Sequence, residues 1–578
     1  MREILCSGQA QSLEFPYPGG MAALCWSPAG ERGELTVSLH YDGAYGMGEK
    51  YNAVNQKGHT AVNEVEEKFC FQGEKTYCPA PFFWTNTGFG LYAATDERTS
   101  FRFGEKAVCA ELPVDCRVVL FSGMPGEIIR DYMDLFGPAK LPPKWAFGPW
   151  ISANHWDSQE KVERAVAQAE EHGFPVCALV AEAWSDEATF YVFRGARYVP
   201  KPNGGAFRLE DFDFSDSPWP DPAGMVQRLH EKGIRFLLWQ IPVYKKQGPD
   251  EPLNAQNELD RADAVARGLC VHNADGSPYT IPEGHWFAGS MIPDFTNPAA
   301  EETWFSKRNY LTEMGIDGFK TDGGEFIYRE DVRFADGSSG RAGKNRYAQE
   351  YTAAYTKHLG SAQALFSRAG YAGQHTTPIH WAGDQQSQNS ELASALRAGL
   401  SAALTGIPFW GFDIGGFAGP LPTLDLYRRA TQMACFVPVM QWHSEPDGGQ
   451  FRELMPGGEG NNERSPWNLA AAYGKPEFVD EMRFWHNLRM ELLPYLYSVA
   501  LDCAEASKPM MRPLVYQWPE DPLVWDCEDE FLLGDSLLVA PLLEENAEKR
   551  AVYLPEGQWI GLFDRRAAAG GQTIVAGG

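Results

Sequence analysis

Residues 1–136 carry short runs in which apolar and polar positions alternate, such as Gly33-Glu-Leu-Thr-Val-Ser-Leu-His, and aromatic runs such as Phe82-Phe-Trp-Thr-Asn, broken by Gly, Pro and Asn. Such short β-rich runs between turn residues predict an antiparallel β-sandwich. After Leu141-Pro-Pro-Lys the texture changes to alternating strands and helices. Trp145-Ala-Phe-Gly-Pro-Trp-Ile reads as a strand, and Ser158 to His172 as a helix with Val162, Ala165, Val166 and Ala169 on one face. Next come a strand in Pro175-Val-Cys-Ala-Leu-Val-Ala-Glu-Ala-Trp, a helix from Met225 to Lys232, and a strand in Gly233-Ile-Arg-Phe-Leu-Leu-Trp-Gln-Ile-Pro. A helix from Glu301 to Met314 and a short apolar strand leading to Asp322 follow.

Continuous apolar strands separated by helices indicate buried parallel β-structure with right-handed crossovers. A closed (β/α)8 TIM barrel over residues 137–505 fits them, with excursions near 193–222 and 248–289. From Met510 β character returns, in Phe531-Leu-Leu-Gly-Asp-Ser-Leu-Leu-Val-Ala-Pro-Leu and Ala551-Val-Tyr-Leu-Pro. The expected fold is therefore multidomain α/β: an N-terminal antiparallel β-sandwich, a central barrel, and a C-terminal β-sheet domain over 506–578. The chain stops at Ala576-Gly-Gly within what reads as that sheet, so a truncated domain is expected.

The strand ends supply the chemistry. Asp322 closes one strand, Ala364-Leu-Phe-Ser leads to Arg368, Pro378-Ile-His-Trp to Asp384, and Ile407-Pro-Phe-Trp-Gly to Asp413. Active sites of barrels gather at the C-terminal ends of their strands. A lone Asp there is most often a cap or a turn residue. Two of them, Asp322 and Asp384, match what glycoside hydrolysis needs: one carboxylate as nucleophile or base and another as proton donor.

Composition narrows the partners. Asp and Glu outnumber Lys and Arg 77 to 50, a formal net charge of −27 that repels polyanions and argues against nucleic acid or an anionic membrane. The first twenty residues lack the apolar core of a secretory signal, and no uncharged apolar run of about 20 residues is present to span a bilayer. Eleven cysteines are scattered without a CxxC pair. A reducing, cytoplasmic setting is the simplest reading. With 12 His and no His-x-His strand end, a metal-dependent barrel hydrolase fits poorly, and no metal or cofactor is expected.

These motifs together resemble glycoside hydrolase family 31, the retaining α-glucosidases and α-xylosidases. Lys320-Thr-Asp-Gly-Gly-Glu resembles the nucleophile motif, closest to the α-xylosidase version. Phe366-Ser-Arg-Ala-Gly, Trp381-Ala-Gly-Asp, Phe409-Trp-Gly-Phe-Asp-Ile-Gly-Gly-Phe and Phe436-Val-Pro-Val-Met-Gln-Trp-His follow in the family's order. The resemblance implies that Asp322 is the nucleophile and Asp384 the general acid/base. It implies that Arg368 and His443 donate to sugar hydroxyls, that Asp413 holds Arg368, and that Trp381 and Phe417 wall the sugar. Asn461-Asn-Glu-Arg-Ser-Pro-Trp resembles a region expected to close the barrel rim.

Two positions depart from the family pattern. Glu182 falls near the place where α-glucosidases carry an Asp that binds the far hydroxyls of the terminal sugar. Gly323 replaces the bulky residue that usually follows the nucleophile, which predicts a wider leaving-group pocket. The expectation is an exo-acting retaining α-glycosidase for α-glucosides or α-xylosides. Galactose, N-acetylgalactosamine and sulfoquinovose, transfer to a sugar instead of water, and an inactive carbohydrate-binding protein stand as alternatives. The partner expected is an oligosaccharide or glycoside, and a homo-oligomer is compatible with the sequence.

Overall fold

The computed structural model describes residues 1–444 and 461–577. The N-terminal sandwich pairs a five-stranded with a six-stranded antiparallel sheet. Alternation drives it: in the strand Arg32–Ser38, Gly33, Leu35 and Val37 are buried while Glu34 and Ser38 face water. The strand Pro79–Thr85 is buried along its whole length, because its second face docks on the barrel. Phe82 stacks on Tyr132 at 3.9 Å, and the Trp84 indole donates to the Leu404 carbonyl at 3.0 Å.

Eight parallel strands form the closed barrel: Pro149–Ala153, Ala178–Ala181, Arg235–Gln240, Gly318–Thr321, Ala364–Ser367, Ile379–Trp381, Trp410–Asp413 and Val439–Ser444. The first and eighth pair directly, with Trp150 opposite Gln441 and Ser152 opposite His443. Burial on both faces explains their continuous apolar character. The helix Gln159–Glu171 is capped by the Ser158 side chain, which accepts from the Lys161 amide, and it buries Val162, Ala165, Val166 and Ala169 as its periodicity predicts.

Two elements differ from the sequence reading. Trp145 to Ile151 is not one strand: a 3-10 turn, Lys144–Phe147, precedes the strand, which begins at Pro149, where a missing N–H costs the ladder nothing. Glu301 to Met314 is not one helix but two, Pro298–Ser306 and Asn309–Glu313. The break falls at two buried cations. Lys307 reaches Asp260 at 2.6 Å, and Arg308 Nε donates to the Gln240 side chain at 2.6 Å. Unpaired, either charge would be costly to bury.

The C-terminal region contains a three-stranded sheet (Met511–Pro513, Phe531–Leu533, Leu537–Val539) and two hairpin-like pairs, one joining Lys549–Leu554 to Gln572–Gly577. All eleven cysteines carry free thiols. Among the described residues no helix is long and apolar enough to cross a membrane.

Candidate active site

Asp322 leaves the fourth strand with its amide still in the ladder, donating to the Gln240 carbonyl at 2.9 Å. Its carboxylate is fixed from three sides. Oδ1 accepts from the Gly323 amide at 2.8 Å and lies 3.2 Å from Arg368 Nη1, while Oδ2 accepts from the Trp239 indole at 3.0 Å. Three contacts of this kind hold the carboxylate in one orientation.

Asp384 is set by the loop after the sixth strand. Gly383 has φ +70°, and a Cβ there would sit 2.3 Å from the Tyr77 ring, so the turn needs glycine. The Tyr51 hydroxyl donates to the Ala382 carbonyl at 2.8 Å, and the Gln72 amide donates to the Asp384 carbonyl at 2.9 Å. Tyr51, Gln72 and Tyr77 all belong to the N-terminal domain, which thereby fixes the backbone of a barrel loop. Burial raises the Asp384 carboxyl to about 8; Arg368 opposes the rise and the charge of Asp322 adds to it. A carboxyl in this state carries a proton at neutral pH and can give it away.

Arg368 sits between the two acids. Nη1 lies 3.2 Å from Asp322 and 3.5 Å from Asp384. Its other nitrogens are gripped by Glu325: Nε and Nη2 each donate to one carboxylate oxygen at 3.1 Å. Glu325 has no exposed side-chain surface, and Arg368 has 3%. Tyr77 and Trp286 lie against the guanidinium, 4.7 and 5.6 Å from ring centroid to Cζ. This corrects the expectation for Asp413, which accepts from Gln441 at 2.7 Å and does not hold Arg368. Glu325 takes that position because it leaves the same loop as Asp322, directly beneath the guanidinium.

The barrel interior below these groups is charged. Glu182 and Lys320 pair at 2.5 Å, and the Lys320 ammonium stands 4.7 Å over the Trp381 ring. Burial alone would lower the Lys320 pKa, but Glu182, Asp413 and Asp322 outweigh it and raise it. Glu182 is raised by burial against the pull of Lys320. His443 is fully buried: Nδ1 meets Ser152 Oγ at 2.7 Å and lies 3.7 Å from Glu182. Burial, with Lys320 nearby, lowers its pKa to about 3, so it is neutral. Its Nε2 has no hydrogen-bond partner among the described residues. Phe417 packs on His443 at 5.2 Å and on Phe69 of the N-terminal domain at 6.3 Å. Glu182, Trp381 and His443 therefore gather around the Lys320 ammonium, with Phe417 packed on His443.

The expectation of a wider pocket at Gly323 is overturned. Gly323 is buried with φ +70°, and a Cβ would fall 2.6 Å from Ile241 and 2.7 Å from Phe326. Those two side chains fill the space. At the rim, Arg464 is buried and donates to Gly415, Gly416 and Ala418 carbonyls, tying the segment after the eighth strand to the loop after the seventh. Among the described residues one group of potential metal ligands lies close together, Cys527, Asp529 and Glu530, far along the chain in the C-terminal region. Arg550 pairs with both of its carboxylates, at 2.7 and 3.3 Å, which leaves little reason for a cation.

The model for the glycosyl hydrolases family 31 TIM-barrel domain matches residues 139–499, and that for the family's C-terminal domain matches 507–577. The chain belongs to glycosyl hydrolase family 31. It is 36% identical over 545 residues to an isomaltosyltransferase of Sporosarcina globispora, covering 92% of this chain and 49% of that protein. It is also 36% identical over 560 residues to a 1,3-alpha-isomaltosidase of Kribbella flavida, covering 94% and 76%. Among solved structures, the cycloalternan-degrading enzyme of Trueperella pyogenes, in complex with a covalent intermediate, superposes with TM-score 0.89 at 35% identity, covering 98% of this chain and 81% of that one. This family 31 chain thus spans about half the length of the transferase.

Several site residues escaped the sequence reading. Glu325 was visible inside the Lys-Thr-Asp-Gly-Gly-Glu motif, where a carboxylate three residues past Asp322 is a usable signal. Gln72, Tyr77, Trp239 and Trp286 had none, since their contacts join distant segments.

Proposed function

We propose that this family 31 chain is a retaining α-glycosidase that cleaves α-glucosides, with isomaltosyl units as its preferred donor, and passes the glycosyl group to water or to a sugar hydroxyl. The observation that carries the reading is the single Arg368 nitrogen within reach of both Asp322 and Asp384. Contact of both acids with one nitrogen supports a closely spaced pair, as in retaining enzymes, whose carboxyl groups sit about 5–5.5 Å apart against roughly 6.5–9.5 Å in inverting ones.

Asp322 attacks the anomeric carbon and forms a β-glycosyl ester, while Asp384 gives its proton to the departing glycosidic oxygen. Ester formation removes the charge of Asp322, which lowers the proton affinity of Asp384. Asp384 then takes the proton of water or of a sugar hydroxyl as that oxygen attacks the same carbon. The C–O bond to Asp322 breaks, its carboxylate is restored, and the product keeps the α configuration.

The names of the isomaltosyltransferase and the 1,3-alpha-isomaltosidase support α-glucosyl donors and support transfer as well as hydrolysis. A second reading, α-xyloside hydrolysis, rests on the Lys320-Thr-Asp-Gly-Gly-Glu motif. A panel of 4-nitrophenyl α-glucoside, α-isomaltoside and α-xyloside separates them. Faster release from the α-isomaltoside supports the first reading, and selective release from the α-xyloside replaces it with the second.

A further inference from the structure

We propose that one chloride-sized anion binds in a small cavity lined by Arg308 and Tyr244 and supplies the counter-charge that Arg308 lacks. The cavity measures about 10 Å³ and lies between the segments that follow the second and third strands and the helix Pro298–Ser306. None of the groups placed around the two acids lines it. A space of this size holds a single occupant, a water molecule or an ion little larger. The inference goes beyond the glycosidase reading and does not depend on it.

Arg308 has no exposed surface, and among the described residues no carboxylate pairs with it. Nε donates to Gln240 Oε1 at 2.6 Å and Nη1 to the Trp304 carbonyl at 2.9 Å, while Nη2 has no hydrogen-bond partner. The Trp304 ring lies 3.7 Å from Cζ and offsets part of the charge. The Tyr355 hydroxyl, also beside the guanidinium, is spent on Gln240 Oε1 and the Trp304 indole. The nearby acids are taken: Asp260 accepts from Lys307, Gln256 and Tyr191, and Asp263 from Arg267. Arg489 is the contrast. Equally buried and also without a carboxylate, it spends its nitrogens on the carbonyls of Phe147, Cys435, Val437 and Pro438. Arg308 has no such set.

The second orphan lines the same cavity. Tyr244 is 7% exposed, and its hydroxyl has no hydrogen-bond partner. Two donors facing one space call for an acceptor between them. A water accepts from both but leaves the buried charge unbalanced, whereas a halide accepts from both and cancels it. Sulfate and phosphate are too large for the space. One residue carries the effect toward the barrel: Gln240, held by Arg308 Nε, gives its carbonyl to the Asp322 amide at 2.9 Å. An anion that fixes Arg308 therefore braces the end of the third strand, beside Asp322.

The test uses the full chain, purified without chloride in sodium gluconate and melted while chloride or bromide replaces gluconate at constant ionic strength, so that screening does not change. A ligand that binds only the folded chain raises the melting temperature with its concentration. We expect chloride and bromide each to raise it saturably. Tyr244→Phe keeps the ring and removes one hydrogen bond to the anion, so the chloride concentration for half the shift should rise about tenfold. In Arg308→Met no shift should remain. Crystals grown in bromide should show anomalous scattering between Arg308 Nη2 and the Tyr244 hydroxyl, a reading that stands even where Arg308→Met fails to fold. Equal melting temperatures in chloride and gluconate overturn the site. So does a chloride shift that Tyr244→Phe leaves unchanged, or a bromide crystal in which water alone fills the cavity.

Discussion

Glu325 grips Arg368 through two parallel hydrogen bonds of 3.1 Å, and this fork leaves Nη1 alone to face Asp322 and Asp384. A planar guanidinium held at two points cannot swing toward either acid, so its charge acts on both from a fixed place. The asymmetry proposed between the two acids is built around that charge.

Replacing Glu325 tests the fork. Glu325→Gln keeps the shape but leaves a buried cation without the counter-charge that grips it at two points, and breaking a buried pair from one side costs about 3–5 kcal/mol. We expect a lowered melting temperature and a loss of kcat/KM of at least about tenfold, whereas Asp413→Asn, which does not touch Arg368, leaves the pH dependence of kcat/KM in place. Thermal melts and pH profiles of the two variants check this.

The pH profile should reflect Asp384. The first step needs its proton, so kcat/KM falls as pH rises through its raised value near 8. Arg368 lowers the proton affinity of Asp384. Removing the cation in Arg368→Gln therefore moves the basic limb to higher pH. A basic limb that stays in place, or moves down, would show that another group governs it.

Stability carries the same sign. A carboxyl whose folded pKa is raised costs stability above its unfolded value near 3.8, and the cost grows with pH until the folded value is passed. Asp384→Asn removes that cost. Its melting temperature should exceed that of the unsubstituted chain by roughly 1–3 °C at pH 8 and by less at pH 5.

Gly323 gives a prediction opposite to the one drawn from its sequence. Because φ is +70° and Ile241 and Phe326 occupy the side-chain space, Gly323→Ala should destabilise the fold by about 1–3 kcal/mol. The ratio of rates on α-1,3-, α-1,4- and α-1,6-linked glucose disaccharides should not change. Denaturant unfolding and the linkage panel measure the two effects separately.

The barrel and both acids were legible because they depend on local signals. Apolar runs mark buried parallel strands, and Asp322 and Asp384 lie at or just beyond strand ends where the fold places chemistry. What stayed hidden depends on approach in space. Gln72 and Tyr77 act on Asp384 and Arg368 from another domain, and Trp286 arrives on an excursion whose course no periodicity encodes. Glu325 stood in plain view, but its role became clear only once the direction of the Arg368 side chain was known. Gly323 misled for a related reason: a sequence records that a side chain is missing, not which neighbours have taken its space. The helix broken at Lys307 and Arg308 shows the same limit, since the buried partners of two cations, Asp260 and Gln240, overrode a periodic pattern.

Azide gives an independent reading of the two acids. With the nucleophile gone, in Asp322→Ala, azide enters from the vacated face and yields a β-glycosyl azide from an activated α-donor. With the acid/base gone, in Asp384→Ala, azide attacks the glycosyl-enzyme and yields the α-azide. Loss of general acid catalysis should cost about 10²–10⁴-fold on donors with poor leaving groups and less on activated ones. Proton NMR of the products distinguishes the anomers.

The most direct test of the central claim is mass spectrometry of the protein after reaction with 5-fluoro-α-glucosyl fluoride, which forms the ester quickly and releases it slowly. A single fluoroglucosyl adduct that maps after digestion to Asp322, and is absent from Asp322→Ala, is the predicted result. Turnover of α-donors with no adduct, together with initial release of the β-anomer, would contradict the retaining mechanism and the roles given to both acids.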